Sequence, residues 1–485
     1  MPTLIMFILP LLGMFAVRLV SDKKSAAKAA LMLSLVPLAD TIWKLTMFNP
    51  DGGTQFLFDQ FWVEQLGISV KVGMDGLSML MVLLTNALVP LIIYSSFDRD
   101  IPDHRNYYSL IFFMQFALLG VFTSLDGFLF YVFWELALIP IWFICLLWGG
   151  KDRARITLKF FIYTLSGSLL MLVGLIYIYL QTPGTHSFDI DAFYAVVLTP
   201  QQQSWLFWAF FAAFAIKIPI FPLHTWQPDT YTNAPTQGTM LLSGIMLKMG
   251  LYGIIRWMLP VIPAGIAEWS WLAIGLAVAG ILYSSAMAIA QKDFKRLIAY
   301  SSIAHVGLIA AGIFSMNMMG LQGGVYQMLS HGVNAVGLFF IADILINRFQ
   351  LRQMNEMGGI AHASTPFAIG FMIILLGSVA LPLTNGFIGE FMLLAGLFEY
   401  SAWLTAFAGL TVIFGAVYML RAYQKIMLGE KSDASEMFTP LSFNEKTLIL
   451  IVSVIVIVMG IYPKPLLDIA EPSLRMILSK TGVNI

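Results

Sequence analysis

An all-α polytopic membrane protein is the fold class that this sequence predicts, from three observations. Of the 485 residues, 59% are hydrophobic and 11% charged, against about 25% charged in soluble domains. Apolar runs of roughly 18–25 residues, the length that crosses a bilayer, recur along the whole chain. The charges that interrupt those runs are isolated and near-central, as Lys217 is in WLFWAFFAAFAIKIPIFPLH and Lys248 in TMLLSGIMLKMGLYGII. A charge at bilayer depth costs roughly 2.5–3.5 kcal/mol on insertion scales, so it is placed where it faces a bundle interior or a water-filled path.

About fourteen transmembrane helices are expected, near 3–20, 27–48, 76–96, 107–124, 128–148, 156–181, 205–227, 236–258, 271–290, 297–315, 322–346, 366–400, 403–426 and 445–466. The first starts at the N-terminus with no small-residue cleavage site and is expected as a retained helix. The second to sixth follow from apolar length alone. The seventh contains Ile218-Pro219-Ile220-Phe221-Pro222. Proline removes a backbone donor and clashes with the preceding turn, so a break is expected there. The eighth to eleventh are again apolar runs. The twelfth is too long for one straight span and is expected to break at Leu381-Pro382-Leu383-Thr384-Asn385-Gly386. Broken backbone at membrane depth is tolerated only inside protein or along a wet cavity. Two more apolar runs complete the set.

The loops alternate in basic charge. One set holds Lys23, Lys24 and Lys28; Arg99 and Arg105; Lys151, Arg153 and Arg155; Lys292, Lys295 and Arg296; Arg348 and Arg352; Lys425, Lys431 and Lys446. The opposite loops, near 49–75, 182–204, 259–270 and 316–321, hold only Lys71. Basic loops stay cytoplasmic, which places both termini outside, in agreement with an even number of spans.

A repeat underlies this order. From Tyr108 to Pro219 is about 111 residues, and from Leu272 to Pro382 about 110. Two five-helix units with the break in the fourth helix follow, at 107–258 and 271–426. An odd number of helices per unit inverts the second copy. An N-terminal three-helix segment (1–106) precedes them, and a C-terminal helix and tail (427–485) follow. Matched interrupted helices in two halves point to a midplane ion site.

Six ionisable residues lie inside the spans: Glu135, Lys217, Lys248, His305, His331 and Glu390. Burial disfavours the charged form of an acid or base, and a nearby opposite charge restores it. Histidine needs only a small push to titrate near neutrality. The set therefore offers acid, base and relay for proton transfer. The competing readings are structural. The lysines could snorkel to an interface, but both are near-central. Glu135 could be only an ion-pair partner, and Glu390 could only satisfy backbone donors freed by the break. His331 and Asn334, one helical turn apart, could form an interhelical hydrogen bond with no proton role, and His305 likewise. His224, beside Pro222, reads as structural or as lining an inlet. His104, His186 and His362 fall in loops or at helix ends and receive no role.

Several classes are excluded. The single cysteine, Cys145, rules out an internal disulfide and a four-thiolate cluster. No GxG occurs, which removes the usual dinucleotide fingerprint. A net charge of zero argues against nucleic acid. The six histidines have no metal-ligand spacing, and Asp98, Asp100 and Asp103 are interleaved with Arg99 and Arg105 as a solvated loop. The 28 methionines read as packing.

Four stretches, KIPIFPLHTWQPDTYTNAPTQGTMLLSGIMLKMGLYGIIR (217–256), FYVFWELALIPIWF (130–143), QKDFKRLIAYSSIAHVG (291–307) and LPLTNGFIGEF (381–391), closely resemble the antiporter-like subunits of respiratory complex I. These are relatives of the cation/proton antiporter subunits of multi-chain sodium/proton exchangers. The resemblance covers about 70–430. Length, the stretch GISVKVGMDGLSM (67–79) and an acid at Glu390, where the sibling L and N branches resemble each other in having lysine, favour the M branch of bacterial NADH:quinone oxidoreductase. The resemblance implies that Glu135 pairs with Lys217, that Lys248 is the central lysine, that His305 and His331 form a relay, and that Glu390 is the outward terminal residue. It implies a proton translocase driven by redox chemistry elsewhere: no cofactor in this chain, with quinone and NADH bound by other subunits. The partners implied are other membrane-arm subunits, and the place a bacterial inner membrane. The alternatives are a subunit of a sodium/proton exchanger, a related hydrogenase complex, or a membrane scaffold, the last opposed by the central charges.

Overall fold

The computed structural model describes residues 3–349, 352–430 and 433–482. Lys431, among the basic loop residues above, lies outside them. The chain opens with α1 (Leu4–Ala16) and α2 (Lys23–Met47). The segment 49–75, expected as a loop, instead forms an antiparallel hairpin of β1 (Gln55–Val63) and β2 (Ile68–Met74). This corrects the all-α expectation. The hairpin turns at Gly67, whose φ of 59° and whose 2.3 Å gap between a built Cβ and the His186 carbonyl both require glycine.

There follow α3 (Gly76–Tyr94), α4 (His104–Thr123), α5 (Gly127–Trp148), α6 (Arg153–Gln181), α7 (Pro200–Lys217), α8 (Thr236–Met258), α9 (Pro263–Ala290), α10 (Phe294–Phe314), α11 (Met318–Phe349), α12 (Thr365–Ser378), α13 (Asn385–Tyr400), α14 (Ala402–Met427), α15 (Phe443–Ile461) and α16 (Lys464–Lys480). The last extends the C-terminal tail as a helix that docks on the start of α3, where Ser473 accepts from the Gly76 amide at 2.8 Å.

Eleven helices among the described residues are long and apolar enough to cross a membrane, so this is a multi-pass membrane protein. Their packing is uneven. The most apolar stretches of α8 and α10 are wholly buried and that of α11 nearly so, whereas α2, α6, α14 and α15 turn most of theirs outward. The buried trio carries Lys248, His305 and His331, and it is the core of the molecule.

Close helix contact in lipid comes from small residues that let backbones approach. Here α8 crosses α11 at Gly244 and Gly332. A Cβ built on Gly332 would stand 2.9 Å from the Gly244 carbonyl oxygen, so that position has no room for a side chain. That crossing brings Lys248 to His331.

Candidate functional site

The seventh predicted helix breaks where its prolines demand it. Pro219 has no N–H for the Ala215 carbonyl, and Ile220 N takes that acceptor instead at 2.8 Å. The Ile216 carbonyl, left without its regular donor, accepts the Trp226 indole N–H at 2.9 Å. The chain then turns through 218–226 into a short helix, Gln227–Asn233. Lys217 is the last residue of α7 and is buried beside this break.

The Lys217 ammonium lies 5.2 Å from the Trp134 ring centroid, a cation–π contact from α5. Glu135, the next residue of α5, is half-buried and faces Tyr131, Ser168 and, across space, Lys217. The two charges do not approach within 4.0 Å, and one Glu135 carboxylate oxygen is buried without a partner. In this conformation the expected pair is open.

Lys248 is completely buried. Just before it, Leu242–Met246 widens into a π-turn, an irregularity frequent at functional sites. Lys248 Nζ donates back to the Ser243 carbonyl at 2.6 Å and lies 2.9 Å from His331 Nδ1. With Lys248 charged, its ammonium can only donate, so Nδ1 accepts and the proton of a neutral imidazole sits on Nε2; with Lys248 neutral, the same contact can run the other way. Nε2 meets Ser302 Oγ at 3.1 Å, and Ser302 Oγ meets Ser243 Oγ at 3.4 Å. Lysine, imidazole and hydroxyls form one hydrogen-bonded line.

The His331 and His305 rings stand 6.2 Å apart. Between them lies a cavity of about 20 Å³ counted as positions for a water centre, room for roughly one water. Ser301, Ser302, Gln327, Asn334 and Ser378 share its lining with the histidines. His305 Nε2, Gln327 Oε1 and Asn334 Oδ1 are buried there without a protein partner, which makes the cavity polar. On its far side His305 Nδ1 meets Glu390 Oε1 at 2.8 Å, both groups buried.

Glu390 sits one turn into α13, just beyond the second break. That break spans Val379–Thr384, two residues earlier than the sequence predicts, and holds Ala380 at φ 57° and Leu383 at φ 74°. Left-handed backbone at non-glycine residues is strained and persists only where the surroundings impose it. Here they do: Ser330 Oγ of α11 donates to the Asn385 carbonyl at 3.0 Å, and Asn385 reaches back to the Ser330 carbonyl at 3.4 Å.

Four of the six predicted residues, Lys248, His331, His305 and Glu390, therefore lie along one buried line. Lys217 and Glu135 form a second group at the first break. His224 is apart from both, its ring between Phe221 and Tyr283 at 5.4 and 5.0 Å. Sequence reading missed Trp134, Ser243, Ser301, Ser302, Gln327 and Tyr418, whose hydroxyl reaches Ser301 at 3.1 Å. Ser301 and Ser302 stand four and three residues before His305, a spacing that was legible. Also missed was Arg256, visible as a charge inside the eighth span. It pairs at 2.6 Å with Asp75, the buried cap of α3. Among the described residues no three His, Cys, Asp or Glu side chains converge as metal ligands.

Residues 124–415 match the family described as NADH:quinone oxidoreductase/Mrp antiporter, transmembrane. NADH-quinone oxidoreductase subunit M of Rickettsia conorii is 40% identical over 97% of each chain. A chain of respiratory complex I from Thermus thermophilus superposes with a TM-score of 0.92 at 30% identity, covering 99% of this chain and 100% of that one. A chain of the Mrp complex from Dietzia superposes with a TM-score of 0.87 at 18% identity, over 98% and 97% of the two chains, a likeness of fold.

Proposed function

The chain belongs to the NADH:quinone oxidoreductase/Mrp antiporter family, and from that premise we propose that it is a proton-translocating membrane-arm subunit of an NADH:quinone oxidoreductase. The observation that carries the reading is the buried line Lys248–His331–Ser302 continuing across a one-water cavity to His305 and Glu390. Each member can accept a proton and pass one on, and the cavity bridges the one gap. A hard cation such as sodium is held by several oxygens, whereas here an ammonium and two imidazoles occupy the line, so the cargo is a proton. The exchanger alternative shares the fold at 18% identity, while the oxidoreductase relatives share 35–40%.

In this reading the membrane arm supplies the neighbours, redox cofactors reside in other subunits, and Glu135 gates Lys217. The spans number fourteen: the eleven long ones, Leu4–Leu19, and the two broken helices that start at Pro200 and Thr365. They group as inverted five-helix repeats, 107–258 and 271–426, with both termini outside a bacterial inner membrane.

The test replaces Lys248 by alanine in the assembled complex. Proton uptake into vesicles driven by NADH oxidation falls at least about tenfold, since the amine that hands protons to His331 is gone. Near-normal uptake by an assembled variant removes Lys248 from the path and overturns the reading.

A further inference from the structure

Four cations from three parts of the chain converge on the short segment after the first break. Lys159 of α6 donates to the Thr225 carbonyl at 2.7 Å and pairs with Asp229 at 3.2 Å. Arg296 of α10 pairs with the other Asp229 oxygen at 3.2 Å. Lys295 donates to the Ala234 carbonyl at 2.6 Å, and Arg352 to the Thr232 carbonyl at 3.2 Å. The last two acceptors lie at the C-terminal end of Gln227–Asn233, where the helix dipole favours cations. Asp229 is the only acid on the segment, and its side chain and those of Lys159 and Arg296 are each about a third exposed.

Directly beneath this exposed cluster the segment is polar and closed. Gln227 and Tyr231 are wholly buried, yet Gln227 Oε1 and the Tyr231 hydroxyl have no hydrogen-bond partner. Buried polar atoms left unpaired are costly and call for a reason. Gln227 and Ser243 are the polar side chains near the Tyr231 hydroxyl, without a hydrogen bond to it. Ser243 is the residue whose carbonyl holds Lys248 and whose hydroxyl meets Ser302. A row of polar groups thus runs from the surface at Asp229, through Gln227 and Tyr231, to the start of the buried line.

We propose that Asp229, held by Lys159 and Arg296, is a charge latch over the cytoplasmic proton inlet to Lys248, with Gln227 and Tyr231 lining that inlet. The proposal rests on the reading of Lys248 as a proton carrier. Closed, the latch presses the segment onto α10, where Gln227 donates to the Ala299 carbonyl at 3.3 Å. Opened, it tilts the segment about its proline-bounded ends and lets water reach the orphaned pair. Asp229 is a positioning residue: it governs access and carries no proton itself.

The experiment uses the whole complex in membrane vesicles of known orientation, with Cys145→Ala and a reporter Gln227→Cys. A membrane-impermeant maleimide is applied from either side, and adducts on this chain are read by mass spectrometry. With the latch intact, labelling is slow. Asp229→Asn speeds it by about fivefold from the cytoplasmic side alone, the shift expected from losing a partly exposed ion-pair network. Asp229→Glu restores the slow rate, a rescue that general loosening would not give. Arg296→Gln opens the latch from the other partner and carries the same expectation if Asp229→Asn fails to assemble. Equal rates with latch intact and broken overturn the latch, and so does faster labelling in Asp229→Glu. Labelling from the outer side overturns the inlet's placement. None of these outcomes depends on whether Lys248→Ala pumps, so the two readings fail separately.

Discussion

Glu135 and Lys217 see each other without touching, and that gap decides what each substitution does. Opposite charges closed to 4 Å at an effective dielectric near 20 attract by about 4 kcal/mol, equivalent to nearly three pKa units. Closing the pair would switch a desolvated lysine between neutral and charged. Glu135→Gln keeps size and the capacity to hydrogen-bond but abolishes the attraction, so redox-driven proton uptake collapses, while Glu135→Asp keeps part of it. Full uptake by Glu135→Gln would show that the charge does not gate Lys217. At Glu390 the requirement is titration rather than sign. Glu390→Gln retains a hydrogen bond toward His305 and loses activity, whereas Glu390→Lys retains some; vesicle uptake with assembly checked decides it. All six site residues, these and Lys248 and His331 among them, were legible as charges or histidines inside apolar runs. Of their neighbours, Ser301 and Ser302 were legible by their spacing from His305, whereas Ser243 and Trp134 were not, because a lone hydroxyl or indole in a membrane helix costs too little to stand out from packing.

At the scale of the element, the breaks and the crossings carry the predictions. Trp226→Phe removes the donor that satisfies the Ile216 carbonyl next to Lys217. An orphaned buried acceptor costs about 1–3 kcal/mol, to be read as a lower midpoint of thermal unfolding of the complex. Gly332→Ala forces a Cβ to within 2.9 Å of the Gly244 carbonyl oxygen. Overpacking of this kind costs about 1–3 kcal/mol, and parting α8 from α11 also lowers proton uptake. Gly409→Ala on α14, with nothing within 4 Å, is the control and leaves both unchanged or slightly better. The two proline breaks were legible because proline chemistry is local. The hairpin was not: its nine-residue strand is shorter than any span and largely exposed, and what holds it is distant in sequence. Lys71 on β2 pairs with Asp189 at 2.5 Å. Partial burial alone would lower the lysine's pKa, but the Asp189 carboxylate outweighs this and raises it. A lysine raised on folding stabilises below its unfolded value near 10.4, and that contribution disappears only as pH climbs past the folded value.

At the scale of the whole molecule the topology is the testable object. Cysteines at Ser25 and Lys151 are labelled only from the cytoplasm and one at Thr185 only from outside, all three positions being exposed; labelling of Lys151→Cys and Thr185→Cys from one side would break the helix order. The number and order of apolar runs, the two breaks, the loop-charge alternation and the buried charges were determined by the sequence itself. Each follows from a local cost: a peptide group or a charge in lipid, or a missing N–H at proline. Which helices form the centre was decided only by tertiary structure. Lipid is as apolar as a protein interior, so hydropathy reads a lipid-facing α14 and a wholly buried α10 alike. The pairing of Lys248 with His331, and of His305 with Glu390, was likewise left open. Partners about 83 and 85 residues apart meet because glycines let helices cross and because a strained break aims α13 inward, and such distances are set by packing, to which no single run of residues has access.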